Sequence, residues 1–327
     1  MKLLRFLLCA LAWIAAALCA AWAFGALYFD FPIANALAAI LFVLFLIAIV
    51  TFVRGTLAKL AGVFGAFAIV LFWWLTLEAS NDRTWQPDVT QTAWAEVKGD
   101  DVTIYNVRNC EYRTATDFTP RWETRGVRLS QITGIDLAIN YWGSPWIAHP
   151  IISFQFADAL PLCFSIETRK TIGQTYSALE GFYRQYTLIY VVADERDVIR
   201  LRTNYRREDV YLYHTVASPA QARGRFLEYI NTINELRDHP RWYNAVTHNC
   251  TTSIRAQRAA KQRAPWDWRM LLNGKGDELL YERHAIVTGG LAFAELKQRS
   301  LINDRARAAD GDPDFSRVIR EGLPKAD

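Results

Sequence analysis

FLLCALAWIAAALCAAWAFGALYF, residues 6–29, contains no Asp, Glu, Lys or Arg, and neither does FPIANALAAILFVLFLIAIVTFV, residues 31–53. As helices rising about 1.5 Å per residue, both are long enough to cross a hydrocarbon layer of roughly 30 Å. A third uncharged stretch, LAGVFGAFAIVLFWWLTL at residues 60–77, covers only about 27 Å, with Trp73 and Trp74 near its exit. These stretches predict membrane spans at about 6–28, 32–53 and 60–77, in a membrane region 1–78. Orientation follows from the flanks, because Lys and Arg beside a span resist translocation. Lys2 and Arg5 precede the first span and Arg54 and Lys59 the third, whereas the Asp30 link has no base, so everything after Glu78 reads as outside. A cleaved leader is the competing reading, since Ala21 and Ala23 resemble a small-residue cleavage site.

The overall composition, 52% hydrophobic with a net charge of +4, averages two unlike halves. Setting aside the four bases above, Asp30 and Glu78 leaves the soluble part at only +2. That excludes the clustered basic face by which nucleic acid is usually bound. Cys9 and Cys19 lie in the first span; Cys110, Cys163 and Cys250 lie outside, enough for at most one disulfide. Residues 79–100, polar with Pro87 and Gly99, read as a linker, and 101–303 as the domain.

Within the domain, Val102–Tyr112, Ile147–Phe156, Leu162–Thr168, Leu188–Val192 and Val210–Tyr213 read as extended runs. Asp158–Leu160 would close a hairpin between the second and third. Ser218 before Pro219 opens a helix through about Leu236, with Phe226, Tyr229, Ile230 and Ile233 on its apolar face. A second helix begins at Cys250 or Thr251, capped by Asn249, and runs to about Lys261 before Pro265. The class is therefore α+β. Residues 304–327, charged and broken by Gly311, Pro313 and Pro324, predict a frayed tail. Asp310, Asp312, Asp314, Ser316 and Glu321 mimic a calcium loop, but Phe315 stands where such a loop needs Gly.

A cysteine at a helix start has a chemical consequence. Unpaired backbone N–H groups and the helix dipole favour the thiolate, the reactive form, at Cys250. The bland alternative is a small buried hydrophobe. A nucleophilic thiol wants an imidazole base held by a third polar group. His149 is the preferred base, because Pro150 forces it towards extended backbone from which its ring can project. Across the hairpin, Glu167 and Arg169 share its face by strand alternation, so Glu167 can orient the ring; a plain surface ion pair is the alternative. Asn249, Thr251 and Arg169 are the candidates for holding substrate or its oxyanion. His248 points elsewhere, His214, His239 and His284 have no supporting neighbours, and no paired spacing supports zinc.

His149, Ser165-Ile166-Glu167-Thr168-Arg169-Lys170, Tyr176-Ser177-Ala178-Leu179, Asp194-Glu195-Arg196-Asp197-Val198 and Asn249-Cys250-Thr251-Thr252 together resemble the DUF4105 family, the Lnb N-terminal periplasmic domain, over roughly residues 100–260. The resemblance implies a periplasmic domain of permuted papain-like (NlpC/P60-like) fold, in which histidine precedes cysteine, and marks His149 and Cys250 as the catalytic pair. It implies thiol-dependent acyl transfer, including lipoprotein N-acylation, or amidase and peptidase chemistry, in the bacterial inner (cytoplasmic) membrane. The implied partners are membrane lipids and a lipoprotein or peptidoglycan-derived substrate, with no cofactor. In the acyltransferase itself the membrane region follows the domain, whereas here three spans precede it. A non-catalytic envelope module binding a lipid or partner is the second reading.

Overall fold

The computed structural model describes residues 2–141, 143–247, 252–254, 265–270 and 272–325. They form two compact units, one of Met1–Ser80, Tyr176–Thr187 and Arg241–Ala245, the other of Asn81–Thr175, Leu188–Pro240 and Val246–Asp327.

The first unit is built on three helices, α1 (Lys2–Asp30), α2 (Asn35–Phe52) and α3 (Thr56–Leu75), each long and apolar enough to cross a membrane. Large side chains such as Leu4, Leu11, Leu44 and Phe72 are exposed, as lipid-facing residues are, whereas half of the buried positions are small: Ala16, Ala23, Gly25, Ala26, Ala39 and Ala66. Small residues let helix backbones approach closely where lipid supplies no hydrophobic drive. The ends of α1 and α3 meet on one side, where Trp74 Nε1 donates to Asp30 Oδ2 at 2.6 Å and Trp22 packs edge-on to Trp74. Segment 176–187 inserts there: Tyr183 lies against Trp22 and Phe29, and the Arg184 backbone N–H and Gln185 side chain donate to Asp30. Gly25 makes this possible, since a Cβ there would stand 1.9 Å from the Tyr183 hydroxyl oxygen.

The second unit is a mixed sheet with helices on both faces. Its strands are β1 (Trp94–Lys98), β2 (Asp101–Arg108), β3 (Glu111–Tyr112), β4 (Phe118–Thr119), β5 (Trp122–Arg128), β6 (Ile132–Tyr141), β7 (Ala148–Phe156), β8 (Leu162–Arg169), β9 (Thr187–Asp194) and β10 (Asp209–His214). Eight of them make one sheet in the order β1-β2-β9-β8-β7-β6-β10, with β5 also on β2; β3 and β4 pair separately. The expected β7–β8 hairpin is present and antiparallel, with Ile151 opposite Ser165 and Ser153 opposite Cys163. Strands β5 and β6 were not foreseen. Strand β6 hides Gly134 and Asp136 among its apolar residues, so its alternation is broken.

Helix α5 (Pro219–Asp238) follows its sequence signal closely: Ser218 and Gln221 form a reciprocal capping box, and Phe226, Tyr229, Ile230 and Ile233 are buried. Ser218→Ala is expected to cost about 1 kcal/mol, measurable as a lowered urea midpoint at unchanged slope. Phe226 and Tyr229 pack edge-on to Phe154 and Phe164 on one sheet face. The opposite face is covered by α4 (Glu195–Arg200), the π turn Leu201–Tyr205 that continues it, and the chain's end.

Two expectations are corrected here. The stretch 79–100 is no free linker: Trp85, Val89, Ala93 and Ala95 are buried, and Asn81 Nδ2 donates to the Leu236 and Arg237 carbonyls, which the end of α5 leaves without helical donors. Nor does the tail fray. Ile302, Ala306, Ala309, Phe315, Ile319 and Leu323 recur at helical spacing and are buried in the core, so the charge between them is one face of short amphipathic helices. Phe315, at the position a calcium loop needs for Gly, is one of those core residues.

Candidate functional site

Side chains alternate across a strand, so the registers state which residues share a face. On the face beneath α4 and the π turn, β6 contributes Asp136, Ala138 and Asn140, β7 contributes Ser153, Ile151 and His149, and β8 contributes Cys163, Ser165 and Glu167. Polar residues therefore occupy the two ends, and an apolar row through Ala138 and Ile151 separates them.

At one end His149 is 7% exposed, and its Nε2 lies 2.7 Å from Ser165 Oγ. Ser165 in turn donates to Glu167 Oε1 at 2.8 Å, while Glu167 itself stands 3.9 Å from Nε2. The histidine and carboxylate are thus joined through a hydroxyl that the sequence reading did not single out. Arg202, from the π turn, donates to Glu167 Oε1 at 3.1 Å and to both Glu208 oxygens at 3.2 Å, and Asn140 Nδ2 donates to Glu208. A π turn shifts the following side chains by one position, and such turns recur where a side chain must be re-aimed.

The proton positions follow from charge. Burial raises the Glu167 pKa, but the positive charges of Arg202, foremost, and of His149, Arg108 and Arg206 together more than offset it and hold the carboxyl below its usual range. An ionised carboxylate only accepts, so the single Ser165 proton must point to Glu167. The Ser165 oxygen then receives the Nε2 proton of His149, which makes Nδ1 the basic nitrogen. Burial, reinforced by Arg202, lowers the His149 pKa to about 4, so the ring is neutral at pH 7. A neutral imidazole with a defined tautomer is a competent proton acceptor.

Arg169 is not part of this group. Its guanidinium donates to the carbonyls of Val89 and Thr90 and to Asn81 Oδ1, and lies 4.2 Å from the Trp85 ring centroid. It clamps segment 81–90 to the sheet, and desolvation lowers its pKa to about 10. Cys250, Asn249, Thr251 and His248 lie outside the described residues, as does most of the helix expected there; Thr252–Ile254 are helical. Cys110 and Cys163 are both free and buried, not bridged, and desolvation pushes the Cys110 thiol up to about 11. Among the described residues no cluster could hold a metal ion.

The acidic run at the start of α4 is a structural hub. Asp194 caps the helix by accepting from the Arg196 N–H and pairs with Arg125; Asp197 takes Arg108 through three donations and the Cys110 N–H; Glu195, fully buried, takes Arg320 and the Ser153 hydroxyl. Arg320 also donates to Asp136 at 2.9 Å, and Asp136 lies 2.7 Å from His214 Nδ1. His214, expected without supporting neighbours, therefore has a carboxylate partner. The signal was present as Asp136 opposite His214 in the β6–β10 register, but neither β6 nor the tail had been placed.

Residues 118–274 match the family described as the Lnb N-terminal periplasmic domain. Neither the curated proteins nor the solved structures contain a match. With three membrane-crossing helices ahead of that stretch, the chain is a membrane protein with a periplasmic domain.

Proposed function

We propose, from the premise that residues 118–274 belong to the Lnb N-terminal periplasmic domain family, that this chain is a membrane-anchored thiol-dependent acyltransferase or hydrolase acting on lipid-linked or cell-envelope substrates. The single observation that supports it is the His149–Ser165–Glu167 relay, set by Arg202 so that Nδ1 is the accepting nitrogen. Basic flanks at Lys2, Arg5, Arg54 and Lys59 favour the bacterial inner membrane, with the domain in the periplasm. The chain order, His149 before Cys250, fits the permuted papain-like plan.

In this reading His149 Nδ1 takes the Cys250 proton as the sulfur attacks an ester or amide carbonyl. Backbone N–H groups near Asn249 and Thr251 receive the oxyanion. The imidazolium then returns the proton to the departing alcohol or amine as its bond to the carbonyl carbon breaks, leaving a thioester. A second nucleophile, an amine for transfer or water for hydrolysis, gives its proton to the same nitrogen while displacing the thiolate. Only neutral His149 can act as the base, so the rate rises with pH through about 4 and is sustained in mild acid.

The test is the pH dependence of alkylation at Cys250 in the full chain. The expected midpoint lies below the value of about 8.5 for a free thiol, while Cys110, at about 11, serves as an unreactive internal reference. A midpoint for Cys250 at or above the free value overturns the catalytic reading and leaves a lipid- or partner-binding envelope module.

A further inference from the structure

On the sheet face opposite His149 lies a cavity of about 470 Å³. Its walls are the other-parity residues of the same strands, Leu137 and Ile139 of β6 and Ile152 and Phe154 of β7, closed by Leu279 and Leu280. That volume is within the range of small-molecule sites, about 300–1,000 Å³. Water would fill it with roughly 15 molecules, each wanting two to four polar partners. Three polar side chains of the wall are committed elsewhere. Thr215 Oγ1 donates to the Ile135 carbonyl, Gln221 closes the cap of α5, and Asn273 Oδ1 accepts from the Ala148 N–H.

The rim has a different character. Arg225 pairs with Glu228, and Arg269 pairs with Asp267 and Glu282, so the cations at the edge are balanced by acids. Trp266 and Trp268, both exposed, lead into the lining residues Arg269 and Met270. Gly274 fixes this edge: a Cβ there would stand 2.3 Å from the Pro145 carbonyl oxygen, so the loop before β7 and the segment after Met270 touch backbone to backbone. An apolar interior, a charge-balanced polar rim and exposed indoles beside it suit a molecule with a hydrocarbon tail and a polar head. The three spans keep such molecules at hand, because a tethered domain meets membrane lipid at high effective concentration.

We infer that this cavity is a binding site for one hydrocarbon chain of a membrane lipid, whose polar head stays at the Arg225–Arg269 rim. The inference does not rest on the Cys250–His149 reading, since the lining uses the opposite sheet face. The test uses the full chain in lipid nanodiscs containing a photoactivatable palmitic acid analogue with a diazirine near the chain end. After irradiation, adducts are mapped by mass spectrometry. Adducts are expected in peptides 135–139, 152–154 and 279–280 as well as in the spans. Ile152→Trp and Leu280→Trp, which fill the cavity, should each reduce the domain adducts at least about tenfold while span labelling, the internal reference for probe supply, is unchanged. Excess unlabelled palmitic acid should displace the same domain adducts from the unaltered chain, which keeps the test decisive if a variant folds poorly. Labelling confined to the spans, or domain labelling that survives the competitor, overturns the inference.

Discussion

Arg320→Met is expected to destabilise the periplasmic unit by about 3–5 kcal/mol, a drop of roughly 10 °C in its thermal midpoint. Arg320 stands near the end of a segment whose composition suggests fraying, yet its guanidinium is shared between Glu195, fully buried, and Asp136, 3% exposed. Removing it leaves two desolvated carboxylates without their cation. Most of the cost is that penalty and not the loss of an attraction, because a surviving buried charge has no water to turn to. The control is Arg317→Met three residues earlier, which removes exposed pairs with Asp314 and Glu321 and should change stability by less than about 0.5 kcal/mol. A second check is Arg320→Met combined with Glu195→Gln, which should recover part of the loss by removing one stranded charge. Thermal unfolding of the solubilised chain, followed by near-ultraviolet circular dichroism, measures all three. Equal midpoints for the Arg320 and Arg317 variants would contradict the account of the tail as part of the core.

Glu167→Ala is expected to lower kcat/KM by roughly 10³–10⁴ with the fold intact, the scale on which triads lose activity when the histidine tautomer is wrong. The reasoning is one of donors and acceptors. Ser165 and Arg202 both donate to the same carboxylate oxygen, Oε1, so Glu167→Gln, whose amide oxygen can keep both bonds, is the milder control. With the carboxylate gone Arg202 keeps Glu208, while the Ser165 proton is free to point at His149 Nε2, which must then surrender its hydrogen. The proton moves to Nδ1, the nitrogen assigned to the cysteine proton. Nitrogen-15 chemical shifts of His149 should therefore exchange between the two ring positions, a signature that a merely structural effect would not produce. An unchanged tautomer with unchanged turnover would remove Ser165 and Glu167 from the mechanism.

The same residues set a pH dependence of stability. His149 binds its proton at about 4 when folded but near 6.5 when unfolded, so below 6.5 the unfolded chain takes up a proton that the folded chain refuses. Glu167, held below its usual range by Arg202, acts in the same direction at lower pH, because its stabilising ionised form is lost as acid protonates it. Both contributions weaken the fold on acidification, while the base itself stays neutral and competent through most of that window.

By itself the sequence determined the three spans, the α5 helix with its cap, and the His149 hairpin, because each rests on a local pattern: an unbroken apolar run, a capping pair before a helical stripe, two extended runs about a short turn. The likeness to the Lnb N-terminal periplasmic domain was equally legible, from separated motifs in order. Tertiary structure decided what depends on partners distant in the chain. Ser165 becomes a relay only because Arg202 arrives on a π turn and commits the carboxylate, Arg169 leaves the site because Asn81 and two carbonyls of the 79–100 stretch capture its donors, and Arg320 becomes a core residue because Glu195 and Asp136 lie far upstream. Charge in a sequence is read as exposure, since solvating an ion is normally cheaper than burying it; only the folded chain reveals where a buried counter-charge has reversed that balance.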